Sequence, residues 1–204
     1  MSFTYAQLKT AIQDYTDNSE TTFVNHLNDF IKASEEKLLK SVDLDYFRKN
    51  VTSTLTSSDQ FLTVPNDYLA SFSLQITTAG SESFLLQKDV NYLREYTPAA
   101  STTGLPKYYA RFDENNFILA PTPDSAYTIE LHYFYRPTSL TSGADSATTW
   151  LSTNAPYALL YGSLIEAYTF MKGEPDVIQN YNGLYMQYLE RVKDLGEARE
   201  NTDG

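Results

Sequence analysis

Apolar and polar residues alternate most cleanly over Ala126 to Arg136. There Thr128, Glu130, His132 and Phe134 interleave with Tyr127, Ile129, Leu131, Tyr133 and Tyr135. Period two with β-branched and aromatic residues predicts a half-buried strand. Two shorter strands precede it, Lys107 to Phe112 and Phe117 to Ala120, joined by the polar turn Asp113-Glu114-Asn115-Asn116. Pro121 and Pro123 stop the ladder, because each lacks an amide donor and fixes φ. Asp124 and Ser125 close that corner. Upstream, Phe47 to Leu55, Gln60 to Val64, Ser71 to Thr77 and Ser83 to Gln87 read as further strands, with Tyr68 and Leu69 expected to plug an open sheet edge from an irregular segment. Asp89 caps one or two helical turns, Val90 to Tyr96, before the loop Pro98 to Gly104.

Both flanks change to helical period. Thr4 is an N-cap with Gln7 completing a capping box, and Phe3 and Leu8 are spaced as a hydrophobic staple for a helix over Tyr5 to Thr16. Asp17, Asn18 and Ser19 break it and cap a second helix. Phe23, Leu27, Phe30, Ile31, Leu38 and Val42 share one face of that helix. After Pro137 comes TSLTSGADSATTW, small, polar and without period. Thr153 or Asn154 caps a third helix with Pro156 in its first turn and an apolar stripe of Leu160, Leu164, Tyr168 and Met171, widened by Leu159 and Ile165. A stripe that wide predicts burial on more than one side. Gly173 is expected to end it as the left-handed cap residue. Pro175 opens the last helix, with Ile178, Tyr181, Tyr185, Tyr188, Leu189, Val192 and Leu195 along it, and EARENTDG is a polar tail.

The expected fold is therefore α+β: an antiparallel four-helix bundle with a mainly antiparallel β domain inserted between helices two and three. The helical domain would take residues 1–42 and 150–204, the β domain 43–137, and a linker 138–149.

Composition narrows the function. The 204 residues are 42% hydrophobic and 20% charged, enough for a core. No apolar run approaches the roughly 18 residues that span a bilayer, and the N-terminus lacks the pattern of a secretory signal, so no membrane partner is expected. With no cysteine, thiolate metal sites and cysteine nucleophiles are excluded. The net charge of −11 argues against a protein that grips nucleic acid by its phosphates. It is compatible with a wall that DNA slides past, and with the plainer alternative that the acidity only aids solubility. The 17 Tyr and 11 Phe against one Trp exceed what a monomer readily hides, and Tyr is enriched where surfaces meet partners.

Catalytic signatures are missing. There is no Walker-type loop, dinucleotide fingerprint, HExxH or nucleophile elbow. His26 and His132 lie in different modules, whereas a zinc site needs three or four converging donors. Asp113 with Glu114, or Asp124 with His132, could be drawn as an acid/base pair, but turn chemistry explains these carboxylates better. No catalytic, cofactor or metal residue is expected.

The order YAQLKTAIQDYTDNSETTFVNHLNDFIKASEEKLLK, VPNDYL, GLPKYYARFDENNFILAPTPDSAYTIELHYFYRP and APYALLYGSLIEAYTFMKGEPD resembles the head-to-tail adaptor proteins of tailed phages. Within these it is most similar to the gatekeeper, or tail tubular protein A, adaptors of short-tailed phages. The resemblance covers essentially the whole chain and implies a virion structural protein, assembled in the host cytoplasm into a dodecameric ring beneath the portal. It implies the portal protein, tail nozzle protein and tail fibre as partners, and double-stranded DNA passing through the lumen without sequence-specific binding. In similar adaptors the last helix and tail reach the portal. That maps onto Tyr185 to Gly204, with Tyr188, Val192, Leu195, Gly196, Ala198 and Arg199 as docking positions. Glu190, Asp194, Glu197 and Glu200 are candidate channel-lining carboxylates. Leu160, Leu164, Tyr168, Tyr181 and Tyr185 are candidate ring contacts, since rings form by heterologous contacts between different faces. A second reading is a glycan- or receptor-binding β module on a helical stalk, and a third, an enzyme, would need a deep pocket of convergent groups.

Overall fold

A computed structural model describes residues 2–41 and 47–200, with side chains as far as residue 194. The chain divides into two compact units, Met1–Tyr46 with Thr138–Gly204, and Phe47–Pro137. The α+β class holds. The expected antiparallel four-helix bundle with one inserted β domain does not, because the described residues form seven α-helices and three sheets.

Local chemistry explains the extra helices. In the helical unit α1 (Tyr5–Thr16) starts on the capping box: the Gln7 amide donates to Thr4 Oγ1 and the Thr4 amide to Gln7 Oε1. The expected second helix is two, α2 (Thr21–Asn25) and α3 (Leu27–Ser41). They part at His26, whose amide makes a tight bond back to the Phe23 carbonyl and whose own carbonyl accepts from both Asp29 and Phe30. Val42, expected at the end of that stripe, lies outside the described residues. Further on, α5 (Trp150–Asn154) carries its own capping box, Thr149 with Ser152, and is separate from α6 (Pro156–Phe170). A residue before proline is driven out of the α region, and Ala155 sits at φ −129°, ψ 42°. Neither Thr153 nor Asn154 caps α6.

The α6 helix is the hub of this unit. Leu159, Leu160, Leu164 and Ala167 are fully buried, and α1, α3, α5 and α7 (Pro175–Glu200) all pack on it. Truncating Leu164 to Ala removes apolar contact on a helix with no open side there, at a cost of about 2–5 kcal/mol. Gly162 lets α3 approach: a Cβ there would overlap Ser34 Oγ and stand 3.2 Å from the Tyr185 ring. At the far end the left-handed residue is Lys172 (φ 54°), not the expected Gly173. Gly173 is required by crowding instead, since its Cβ would fall 2.7 Å from Tyr168 Cδ1.

Residues 138–149 are also held to this unit. Leu140 is fully buried in a 3-10 turn, Leu140–Ser142. The amides of Tyr5 and Ala6 donate to Ala147 and Asp145 carbonyls, and Lys9 Nζ pairs with Asp145 at 2.8 Å. Glu35 on α3 accepts from the Leu140 amide (2.9 Å) and from Ser139 Oγ (2.5 Å).

The β unit is built on two sheets packed face to face. The first contains β1 (Arg48–Thr54), β3 (Tyr68–Thr78), β4 (Ser81–Phe84) and β10 (Thr128–Tyr135), in the order β1-β10-β3-β4 and antiparallel throughout. Tyr68 and Leu69 are thus the start of a strand rather than an irregular plug. The second contains β2 (Phe61–Thr63), β5 (Leu86–Gln87), β7 (Tyr108–Arg111) and β8 (Asn116–Ala120), in the order β2-β8-β7-β5, with β5 and β7 parallel. The expected strand Ser83 to Gln87 is split at buried Leu85: its amide still donates to Leu74 of the first sheet, while that of Leu86 donates to Lys107 beside the second. A third, two-stranded parallel sheet pairs β6 (Thr103–Gly104) with β9 (Thr122–Pro123). Between the large sheets Leu74, Ile76, Ile129, Leu131 and Tyr133 meet Tyr109, Phe117 and Leu119. Leu93 of α4 (Val90–Tyr96) covers Ala110, Ile118 and Ala120 in a separate cluster.

Candidate assembly surface

Once the hub helix has given its leucines to the interior, the side chains left at its margin are tyrosines. Tyr157, Tyr161 and Tyr168 recur at about helical spacing along α6, and α7 answers with Tyr181 and Tyr188; all five are half-buried. They stack into one seam. Phe3 meets Tyr157 edge-on (6.0 Å), and Tyr157 stacks on Tyr188 (5.3 Å). Tyr161 lies between Tyr188 (5.7 Å) and Tyr181 (5.9 Å), and Tyr181 reaches Tyr168 (5.2 Å). At that end Tyr168 donates its hydroxyl to the Tyr15 carbonyl (3.1 Å), and Arg191 lies 5.2 Å from the Tyr188 ring.

Burial sets the chemistry of these phenols. Desolvation, then the neighbouring Tyr168 hydroxyl, pushes Tyr181 up to about 12. Desolvation also raises Tyr161, with the Tyr15 and Tyr188 hydroxyls adding to it, and burial alone raises Tyr185. Tyr161 and Tyr181 therefore stay uncharged at neutral pH, and the seam offers flat apolar rings with polar tips, the surface chemistry enriched at interface centres.

The expected ring contacts divide on this geometry. Tyr168 and Tyr181 belong to the seam. Leu160 (1% exposed), Leu164 (0%) and Tyr185 (7%) are taken up by the subunit's own core, because α3 and α7 close over them. Tyr157 and Tyr161 lie outside the expected set. Their four-residue spacing was a usable signal, hidden by the stronger leucine stripe.

Of the expected docking positions, Tyr188 lies in the seam and Val192 is buried in the core. Tyr188, Arg191 and Val192 line a cleft of about 340 Å³ with residues 153–158. The side chains of Leu195, Ala198 and Arg199 lie outside the described residues, as do those of Glu197 and Glu200, and Gly196 falls in the same stretch. Glu190 and Asp194 are exposed one turn apart on α7. A second, shallower depression on α7 is lined by Asp176, Gln179, Asn180, Gly183, Leu184 and Gln187.

In the β unit an aromatic cluster marks one face of the first sheet. Half-exposed Phe72 stacks on His132 (5.8 Å) and leans on Phe134 (5.3 Å), with the Arg48 guanidinium 5.4 Å from its ring. Glu130 beside them accepts from Asn50 (2.7 Å) and Gln75 (3.1 Å) and lies 3.2 Å from His132 Nε2. The Asn50 hydrogen bond, then that of His132, holds its carboxyl below the usual range.

The carboxylates that could be drawn as catalytic pairs have turn partners. Asp113 accepts from the Asn115 amide and the Asn116 side chain, and Asp124 accepts from the Tyr127 hydroxyl (2.6 Å). His132 meets Glu130, not Asp124. His26 bonds Asp29 (2.9 Å). Among the described residues no group of three or more His, Asp or Glu is placed to hold a metal, and no helix is long and apolar enough to cross a membrane.

No curated protein matches the chain. The family model described as SU10 adaptor protein matches residues 3–203, spanning the capping box of α1, both sheets and the tyrosine seam. With nearly its whole length matched, the chain belongs to the SU10 adaptor protein family, the structural adaptors between phage head and tail.

Proposed function

We propose that this adaptor works as a dodecameric ring of the gatekeeper, or tail tubular protein A, type, seated between the portal and the tail nozzle and fibres, with the genome passing through its lumen. The observation that carries the reading is the seam of half-buried, mutually stacked tyrosines on α6 and α7. Aromatic surface left open along one helix pair is completed when a different face of the next copy covers it, the heterologous contact from which rings are built.

The last helix supplies the other two contacts in this reading. Its end, Tyr188 with Leu195, Gly196, Ala198 and Arg199, docks on the portal, while Val192 between them stays in the subunit's core. Glu190, Asp194, Glu197 and Glu200 face the passing DNA and repel its phosphates, so the duplex slides instead of sticking. The net charge of −11 supports that role.

The test is particle mass and shape by negative-stain imaging, with and without the portal protein. A ring with a central channel on the portal is expected. A single globule that stays alone when portal is added would end the proposal. Glycan or receptor binding is a second reading, favoured by the Phe72, His132 and Phe134 cluster beside the anchored Glu130. Phe72→Ala separates the two, since it would abolish glycan retention while leaving rings intact.

A further inference from the structure

We propose that the two open edges of the first sheet, β1 and β4, pair with each other between neighbouring copies of this chain, so that one sheet continues from subunit to subunit. The inference rests on the ring reading above and adds a contact in the β unit. All seven residues of β1 and all four of β4 are exposed, and each strand ends its sheet on a different side. An edge strand offers a row of amides and carbonyls to any chain that can align with it, and proteins usually blunt such an edge with proline, a bulge or a cover. RKNVTST has no proline. Its register against β10 runs from Arg48↔Phe134 to Thr54↔Thr128 without a shift. The one edge lysine, Lys49, is neutralised by Asp67 at 2.9 Å.

Topology selects a second copy as the occupant. Four strands, each antiparallel to the next, leave β1 and β4 running in opposite directions. Copies repeated about a rotation axis then bring β1 of one antiparallel to β4 of the next, the stronger ladder. That contact is heterologous and can propagate around a ring. Pairing of β1 with β1 would end at a dimer and leave β4 open. The tight turn at Ala79 (φ 50°) and Gly80 (φ 80°) matches the sheet's twist and starts β4 as the outermost strand of its sheet.

Side-chain parity fits as well. Thr52, Glu130, Gln75 and Phe84 lie in one row across the sheet, so Phe84 and Glu82 share a face with Arg48, Asn50 and Thr52. Joining the edges brings Glu82 and the 62%-exposed Phe84 alongside the Arg48, Asn50 and Thr52 face of β1. A four-residue ladder is marginal alone. It forms when the ring already holds the copies side by side.

Cysteine pairs test this cleanly, because the chain has no cysteine. Phe84→Cys is combined with Asn50→Cys or Thr52→Cys, and Ser83→Cys with Thr52→Cys serves as the opposite-face control. Within one chain β1 and β4 are three strand spacings apart, about 14 Å, beyond disulfide reach. Every bridge is therefore between copies. Portal-bound assemblies, imaged before and after oxidation, should give a covalent ladder with the same-face pairs and none with the control, and amide exchange over 48–54 should slow on assembly. Rings that form without bridges or slowed exchange overturn the edge pairing and leave the ring reading standing. Failure of any ring to form overturns both. Protection of β1 only after the tail nozzle is added, without bridges, overturns the proposal in favour of a partner's strand.

Discussion

Replacing Glu35 separates the two things its carboxylate does. It is 5% exposed and accepts the Leu140 amide and the Ser139 hydroxyl, fastening the 3-10 turn to α3. Burial is the leading influence on its pKa and raises it, against lowering by Ser139, Leu140 and Lys32. Glu35→Ala leaves the buried Leu140 amide without its acceptor, which costs about 1–3 kcal/mol. At roughly 2–4 °C per kcal/mol for a chain of this size, the melting temperature should fall by about 2–12 °C. Glu35→Gln keeps an oxygen for the Leu140 amide and removes the charge, so at pH 7 it should cost far less than Ala. The folded state holds the Glu35 proton more tightly than the unfolded chain does. Its contribution is therefore complete below the unfolded value of 4.5 and lost as pH rises through the higher folded value. Thermal melts by circular dichroism from pH 4 to 8 should show that component in the parent and not in Glu35→Gln. Equal destabilisation by Gln and Ala at pH 7, or a parent-to-Gln difference that ignores pH, would refute the reasoning.

Gly162→Ala should lose about 1–3 kcal/mol from overpacking, and adding Ser34→Ala should recover part of it in a double-mutant melt. In an absorbance titration near 295 nm, Tyr181→Phe should remove one phenol that ionises only near 12. The folded pKa of Tyr181 lies above the unfolded 10.0, so its contribution holds below 10.0 and drains as pH climbs through about 12; Tyr181→Phe should flatten that alkaline decline. Tyr157→Ser with Tyr161→Ser should leave the far-ultraviolet spectrum of the monomer unchanged and reduce ring yield on the portal, whereas Leu164→Ala should lower the melting temperature by the core amount. Lysine at Glu190, Asp194, Glu197 and Glu200 should slow genome ejection most at low salt, and unchanged release kinetics would count against a channel role.

Elements with a self-contained local signal were legible in the sequence. The Thr4 to Gln7 box placed α1, Asp89 placed α4, and Pro121 marked where β8 must stop, whereas Pro123, expected to bar a strand as well, lies within the short strand β9 and pairs with Gly104. Features decided by tertiary partners were not. The break at His26 carries no proline or glycine, and the two-residue parallel pairs β5–β7 and β6–β9 are too short to have a period. Leu85 gives no hint that the chain changes sheets there. On the surface, Tyr168 and Tyr181 could be nominated by type, but whether a leucine on α6 faces the core or a neighbour depends on α3 and α7 closing over it. Only the packed structure says that.

The hub position of α6 also dictates an order of events on the ribosome. Its neighbours α1 and α3 are translated first, yet the helix they must clasp begins at Pro156 and the last one to close over it at Pro175. Until those residues emerge, the apolar faces of the early helices have no native mate, while the β sandwich, contiguous in the nascent chain, can already mature. Slow synthesis or a truncated message therefore exposes Leu8, Ile12, Phe23 and Ile31 to chaperones and proteases, and quality control of this adaptor falls on its first forty residues or so.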